Sequence, residues 1–439
     1  MLREVKTMSQ KQLSAITGID QSDISKIERG AANPSVQIML CQFTFKNFRS
    51  YKEETVFDFQ ATSIGEFEDS LISINDNSPL LPVGVVYGPN GGGKTNLLLA
   101  LSCLVSMVSQ PINELGKSRQ RGIIQERTNC LPYLLDDESR NEPTDFEVFF
   151  RVNGNEYRYN LSVLEEEIVR ESLHWKTIGG KKTGAVFERN RSEIILGQSI
   201  SKASINRTVN PKMPYLTFLA INYDIQVIAE VQRWFESVYT INFGNPSTEK
   251  TVFMPQEPSI HEKSIQALND LGIDVNEFYF DNDRQRIVTQ RTVKGKSYEL
   301  FYEDESAGTR KLISVLPILL NALNEGRLVI VDELDAKLHP KLLRYIISLF
   351  KNKSINSKGA QLLFTSHDLS TMKNYIFRRD EIWFAYEKPE HGSEIYSLYE
   401  IRNEGNERIK ATMAFDKQYL EGRYGADPYL SNMLSDGWK

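Results

Sequence analysis

The run VGVVYGPNGGGKTNLLLALSCLVSMV, from Val83 to Val108, constrains this chain more than any other. Val83–Tyr87 reads as a short apolar strand, Gly88–Thr95 as a glycine loop and the following apolar run as a helix. Strand, glycine loop and helix in that order make a phosphate-binding loop. Its glycines let backbone N–H groups approach phosphate oxygens, and the helix N-terminus adds a favourable dipole. Asn90, Gly91 and Gly93 would line the phosphates of ATP, and Lys94 would reach the β- and γ-phosphates. The Thr95 hydroxyl would ligate Mg²⁺.

A matching acid lies 237 residues beyond Thr95, in RLVIVDELDAKLHP (Arg327–Pro340). Leu328–Val331 is uninterrupted apolar sequence, as a buried parallel strand requires. Asp332 then falls at the strand's carboxyl end, where open α/β sheets bind ligands, and would hold Mg²⁺. Glu333 follows, placed to orient or deprotonate an attacking water. A second strand of this kind, Gln361–Thr365, ends at Ser366-His367-Asp368. His367 stands open to two readings, a structural histidine or a contact to the γ-phosphate. Residues 303–311, EDESAGTRK, precede a helix whose stripe is Leu312, Val315, Leu316, Leu319 and Leu323. Ser306 and Gly308 therefore sit at a helix N-terminus, as a simple cap or as an anion site.

These four elements in order resemble the ABC-type ATPase superfamily, with ESAGT as a degenerate signature and LDAKLHP and TSHD after it. The resemblance implies an α/β fold: a P-loop ATPase head with a mixed sheet and an inserted subdomain. It also implies that the signature of one subunit caps ATP held by another. The chain would then be a homodimer or higher homo-oligomer, with Asp335 at the subunit contact. The opening FTFKNFRSYKEETVFDF, the segment 141–163 and the ending YLEGRYGADPYL narrow the likeness. They resemble the RecF/SMC/OLD-like clade, and within it the bacterial ATPases of restriction and abortive-infection loci.

Residues 9–35, SQKQLSAITGIDQSDISKIERGAANPS, resemble the Xre/Cro-type helix-turn-helix family, which implies DNA contacts from Gln21, Ser22, Ser25 and Lys26. Residues 1–38 carry a net charge of only +1 and are too few to bury much core. A working DNA module and a truncated remnant both remain open. The expected division is 1–38, a short α-helical segment; 39–165, an ATPase lobe; 166–297, an inserted variable subdomain; and 298–439, the second lobe.

Composition excludes several classes. Net charge is −6 over 439 residues, so no global positive field draws nucleic acid. Residues 170–212 do hold nine Lys or Arg against three Glu, with Trp175, Phe187 and Tyr215 in or near them. That stretch could grip a nucleic-acid backbone or be a solvated hairpin face. Asp281 and Asp283 sit in a polar turn that argues against a metal pair. Helical spacing at Ile228, Val231, Phe235 and Val238 points to core packing, with a partner-binding face as the alternative. The three cysteines lack metal-ligand spacing and suit a reducing cytoplasm. No apolar window is long enough to span a membrane, and the first ten residues lack a signal-peptide core. Nothing between residues 165 and 298 sustains the heptads of long arms. The 72 residues after His367 are too few for the nuclease domain of OLD-type relatives. The expectation is an ATPase without its own nuclease, acting as sensor or scaffold in anti-phage defence and controlling a separately encoded effector. A RecF-like repair ATPase and a DNA-binding regulator are the alternatives.

Overall fold

The computed structural model describes residues 38–73, 78–110, 130–200, 204–242, 254–255, 257–389, 391–403 and 405–425. The helix-turn-helix expected before Ile38, with Gln21, Ser22, Ser25 and Lys26, lies outside the described residues, as does the end of YLEGRYGADPYL. In chain order come β1 (Ile38–Lys46), β2 (Thr55–Asp58), β3 (Val83–Tyr87) and α1 (Lys94–Ser109). Then follow β4 (Thr144–Val152), β5 (Asn155–Leu164), β6 (Glu167–Thr177), β7 (Gly184–Asn190) and β8 (Glu193–Leu196). Next are α2 (Tyr215–Asn222), α3 (Gln226–Glu236), β9 (Tyr239–Asn242) and α4 (Pro258–Asp270). The hairpins β10 (Glu277–Asp281), β11 (Arg286–Val293) and β12 (Lys296–Phe301) lead into α5 (Ala307–Glu325) and β13 (Leu328–Asp332). The last elements are α6 (Pro340–Lys351), β14 (Gln361–Thr365), β15 (Ile382–Glu387), β16 (Ser393–Ser397) and α7 (Phe415–Leu420).

Two large sheets enclose α1. One is antiparallel with seven strands, in the order β2-β1-β4-β5-β6-β7-β8. Its strands alternate, so that Phe146, Val148 and Phe150 of β4 and Tyr157, Tyr159 and Leu161 of β5 face one core. Ile228, Val231 and Phe235 of α3 join that core as their spacing requires, together with Trp234. The other sheet has six strands, in the order β16-β15-β3-β14-β13-β9, parallel except for β16 at its edge. β3, β13 and β14 are buried at every residue, which explains their unbroken apolar runs. α1 covers one face of this sheet, while α5 and α6 pack their apolar stripes into the core on the other. A third sheet, β10-β11-β12, precedes α5.

The boundary expected at residue 165 falls inside the antiparallel sheet. β5 pairs with β6 from Asn155 to Leu164, so the segments 39–165 and 166–297 share one sheet and one core. Four of the nine basic residues of the stretch 170–212 are held in ion pairs. Arg170 pairs with Asp145, Lys176 with Glu156 and Lys212 with Glu166. Arg189 is buried against Glu171. Phe187 and Tyr215, offered as stacking rings, are fully buried core residues. Of the two readings of residues 170–212, these buried rings favour the solvated hairpin face over an aromatic-interleaved nucleic-acid grip. Asp281 Oδ1 accepts the backbone N–H groups of Asp283 and Arg284, which spends that carboxylate on a turn. Among the described residues, no helix is long and apolar enough to cross a membrane.

Candidate nucleotide site

β3, β13 and β14 end side by side, and their carboxyl ends deliver the candidate residues to one place. Asn90, Gly91, Gly93, Lys94, Thr95, Asp332, Glu333, Thr365 and His367 line a cavity of ≈ 240 Å³. Ser306 and Gly308 are not among them. The loop from β3 turns through Gly91 at φ 83° and Gly93 at φ 101°, conformations that only glycine adopts without strain. Gly92 answers a different demand, because a Cβ there would lie 2.6 Å from the Ala385 carbonyl of β15.

Lys94 opens α1 and is buried, with Nζ donating to the carbonyls of Gly88 and Pro89 at 2.9 Å each. Burial lowers its pKa, against the attraction of Asp332, Glu333 and Asp335. The ammonium is therefore held where phosphate charge would stabilise it. Thr95 Oγ1 donates to Asp332 Oδ2 at 2.9 Å. A hydroxyl and a carboxylate this close are the oxygen donor set that Mg²⁺ takes, with its remaining positions left to water and phosphate. Thr95 and Asp332 thus fit the ion. Burial lowers the His367 pKa, and the neighbouring Lys94 charge lowers it further, against Asp335, Glu333 and Asp332. The imidazole is accordingly neutral near pH 7.

Several residues that support this site escaped the sequence reading. Thr365 Oγ1 donates to Asp332 Oδ1 at 2.6 Å and accepts the Glu333 N–H at 2.7 Å. Glu333 sits at φ 55°, a left-handed backbone costing roughly 1–2 kcal/mol for a residue with a Cβ. On the far side of the loop, Tyr51 donates to the Gly93 carbonyl at 3.2 Å, and Asn96 donates to Ser50 at 2.8 Å. The NFRSY segment, which entered the sequence reading only through a resemblance, is thus a brace for the phosphate loop.

Ser306 caps α5, its Oγ accepting the Thr309 N–H at 3.1 Å. The helix behind it buries Leu312, Val315, Leu316, Leu319 and Leu323. A Cβ on Gly308 would lie 3.3 Å from the Lys337 carbonyl, so the signature turn rests on the loop after Glu333. Asp335 Oδ2 accepts the His367 N–H at 3.0 Å, while Oδ1 is buried without a hydrogen-bond partner among the described residues.

Comparison with known proteins fits this geometry. Residues 84–373 match the family model described as "AAA domain, putative AbiEii toxin, Type IV TA system". The chain belongs to that family. Its P-loop ATPase head is preceded by a segment, residues 1–40, that matches a helix-turn-helix family. Among solved structures, the SMC head domain from Thermotoga maritima is 14% identical, covering 82% of this chain and 98% of that one at a TM-score of 0.38. The Smc head from Pyrococcus furiosus, bound to the C-terminal domain of ScpA, is 12% identical, covering 82% and 96% at a TM-score of 0.38. No curated protein matches the chain.

Proposed function

We propose that this family member hydrolyses ATP at composite sites between two copies of the chain. The observation that carries the reading is the separation within one chain: P-loop, acidic pair and His367 line one cavity, while Ser306 and Gly308 lie outside it. A signature turn with a helix N-terminus suited to an anion thus faces something other than its own phosphates. The buried Asp335 Oδ1 beside His367 is a second group left unsatisfied among the described residues.

In this reading Lys94 binds the β- and γ-phosphates, and Thr95 and Asp332 hold Mg²⁺, which supplies charge neutralisation at the phosphates when bound. Asn90, Gly91 and Gly93 present the loop, and Glu333 orients and deprotonates the attacking water. Neutral His367 contacts the γ-phosphate, and Ser306 and Gly308 of the second copy cap it. Segments 39–165, 166–297 and 298–439 act as one engine, and segment 1–38 as an appended module.

The role we infer is that of an ATP-driven sensor or scaffold in bacterial anti-phage defence, controlling a separately encoded toxin or nuclease. The family description, with its toxin–antitoxin wording, supports this direction. The helix-turn-helix match over residues 1–40 favours a second reading, a DNA-binding regulator. The deciding experiment is the Glu333→Gln variant with ATP, expressed beside its native gene neighbours. It should bind ATP, run as a dimer by light scattering and turn over at roughly a thousandth of the normal rate or less. A stoichiometric toxin- or nuclease-like protein should co-purify. Unchanged turnover would overturn the mechanism, and recovery of the chain alone would overturn the effector.

A further inference from the structure

We propose that Lys311 is a positioning residue that fixes the backbone of Glu333 and bolts it to the chain's own signature turn. The proposal deepens the reading above and rests on Glu333 being the hydrolytic acid. Lys311 lies on α5, five positions after Ser306, with its side chain buried. Its Nζ donates to the Glu333 carbonyl at 2.8 Å and to the Ala336 carbonyl at 2.6 Å. Charge-assisted donors of this kind are the stronger hydrogen bonds.

The site of that contact makes it more than packing. Glu333 is held at φ 55°, a conformation that persists only where the surroundings over-determine it. Its N–H is fixed by Thr365 Oγ1 at 2.7 Å, from β14. Its carbonyl is fixed by Lys311, from α5. With both flanking peptides held, the direction in which the Glu333 carboxylate leaves the backbone is set by two elements at once. The same ammonium holds Ala336, and the next residue, Lys337, is also left-handed, at φ 62°. The Lys337 carbonyl is the atom against which Gly308 rests.

The other flank of the signature turn is anchored too. Glu305, buried directly before Ser306, accepts Thr289 Oγ1 at 2.7 Å. It also accepts Arg291 Nε at 3.2 Å and Nη2 at 2.6 Å, a two-pronged pair from β11. Ser306 is therefore part of a rigid unit running from β11 through Glu305 and Lys311 to Glu333. In a two-site sandwich, the Ser306 that caps one nucleotide belongs to the chain whose Glu333 activates the attacking water at the other. Lys311 is then a direct mechanical link between the two sites, and it makes each site's turnover depend on the other's occupancy.

The test is Lys311→Met in the full chain, which keeps the stem and removes the donors. Steady-state hydrolysis should fall roughly tenfold to a hundredfold, while mant-ATP binding stays within about twofold. The Hill coefficient for ATP should drop to about one. Lys311→Arg, which restores two donors, should recover part of the rate. Mixed dimers of Lys311→Met with Lys94→Ala locate the effect. Their only nucleotide-binding site pairs the Lys311→Met chain's Glu333 with an intact signature, so it should stay slow. Full turnover at that site would overturn the proposal, as would mant-ATP affinity falling in step with rate, or wild-type rate and Hill coefficient in Lys311→Met. Unchanged turnover in Glu333→Gln would instead overturn the underlying assignment of the acid, so the two failures are distinguishable.

Discussion

Thr365→Val isolates the joint that holds both acids. The Thr365 side chain is buried, and valine matches it in shape while losing the hydroxyl. Two hydrogen bonds vanish: the 2.6 Å bond to the Asp332 carboxylate and the 2.7 Å bond from the Glu333 N–H. A bond to a charged group contributes about 1.5–3 kcal/mol and a neutral one about 1 kcal/mol. Asp332 keeps its Thr95 donor, but the Glu333 amide loses this partner. The expected destabilisation is therefore about 2.5–4 kcal/mol. Urea unfolding reads it through the buried Trp234 and Trp383. Because the same loss frees one end of the left-handed Glu333, the hydrolysis rate should fall roughly tenfold or more with little change in ATP affinity. Thr365→Ser retains the hydroxyl and should behave nearly as the parent does. A valine variant within about 0.5 kcal/mol of the parent and equally active would refute the claim that Thr365 sets these acids.

Other predictions follow from the same geometry. Lys94→Ala should abolish ATP binding in calorimetry, since among the described residues no second ammonium lines the cavity. Gly92→Ala forces a Cβ to 2.6 Å from a backbone carbonyl that cannot swing away, so a cost of about 1–3 kcal/mol and weakened ATP binding are expected. The lowered His367 pKa means that the unfolded chain binds this proton more readily. Stability of the free protein should therefore fall as pH drops below about 6.5, and His367→Gln should flatten that slope in a pH series of unfolding curves. Deleting residues 1–38 should leave hydrolysis intact. Loss of promoter binding in a mobility-shift assay would support the regulator, and unchanged binding would remove it.

How far the sequence could be read depended on how local each signal is. β3, β13 and β14 were legible because strands covered on both faces must be apolar throughout, and each motif lies at the end of one. The basic stretch stayed open to two readings because the acids that pair with part of it, Asp145, Glu156 and Glu166, lie before it in sequence and reach it through strand pairing or a turn. Pairing across residue 165 was illegible for the same reason, since a β-hairpin adds strands to a sheet with no change in composition. Ser50 and Ser393 meet across 343 residues, and no spacing rule would join them. Glu333 shows the limit most clearly. An acidic pair after a strand announces chemistry, yet what aims the second carboxylate is a positive φ, and nothing in the letters Asp-Glu reveals it. That backbone is held from outside the motif, by a threonine on the neighbouring strand and a lysine on the signature helix. The residues proposed to bind phosphate are thus written beside one another, while those that hold the Glu333 backbone are assembled by the fold.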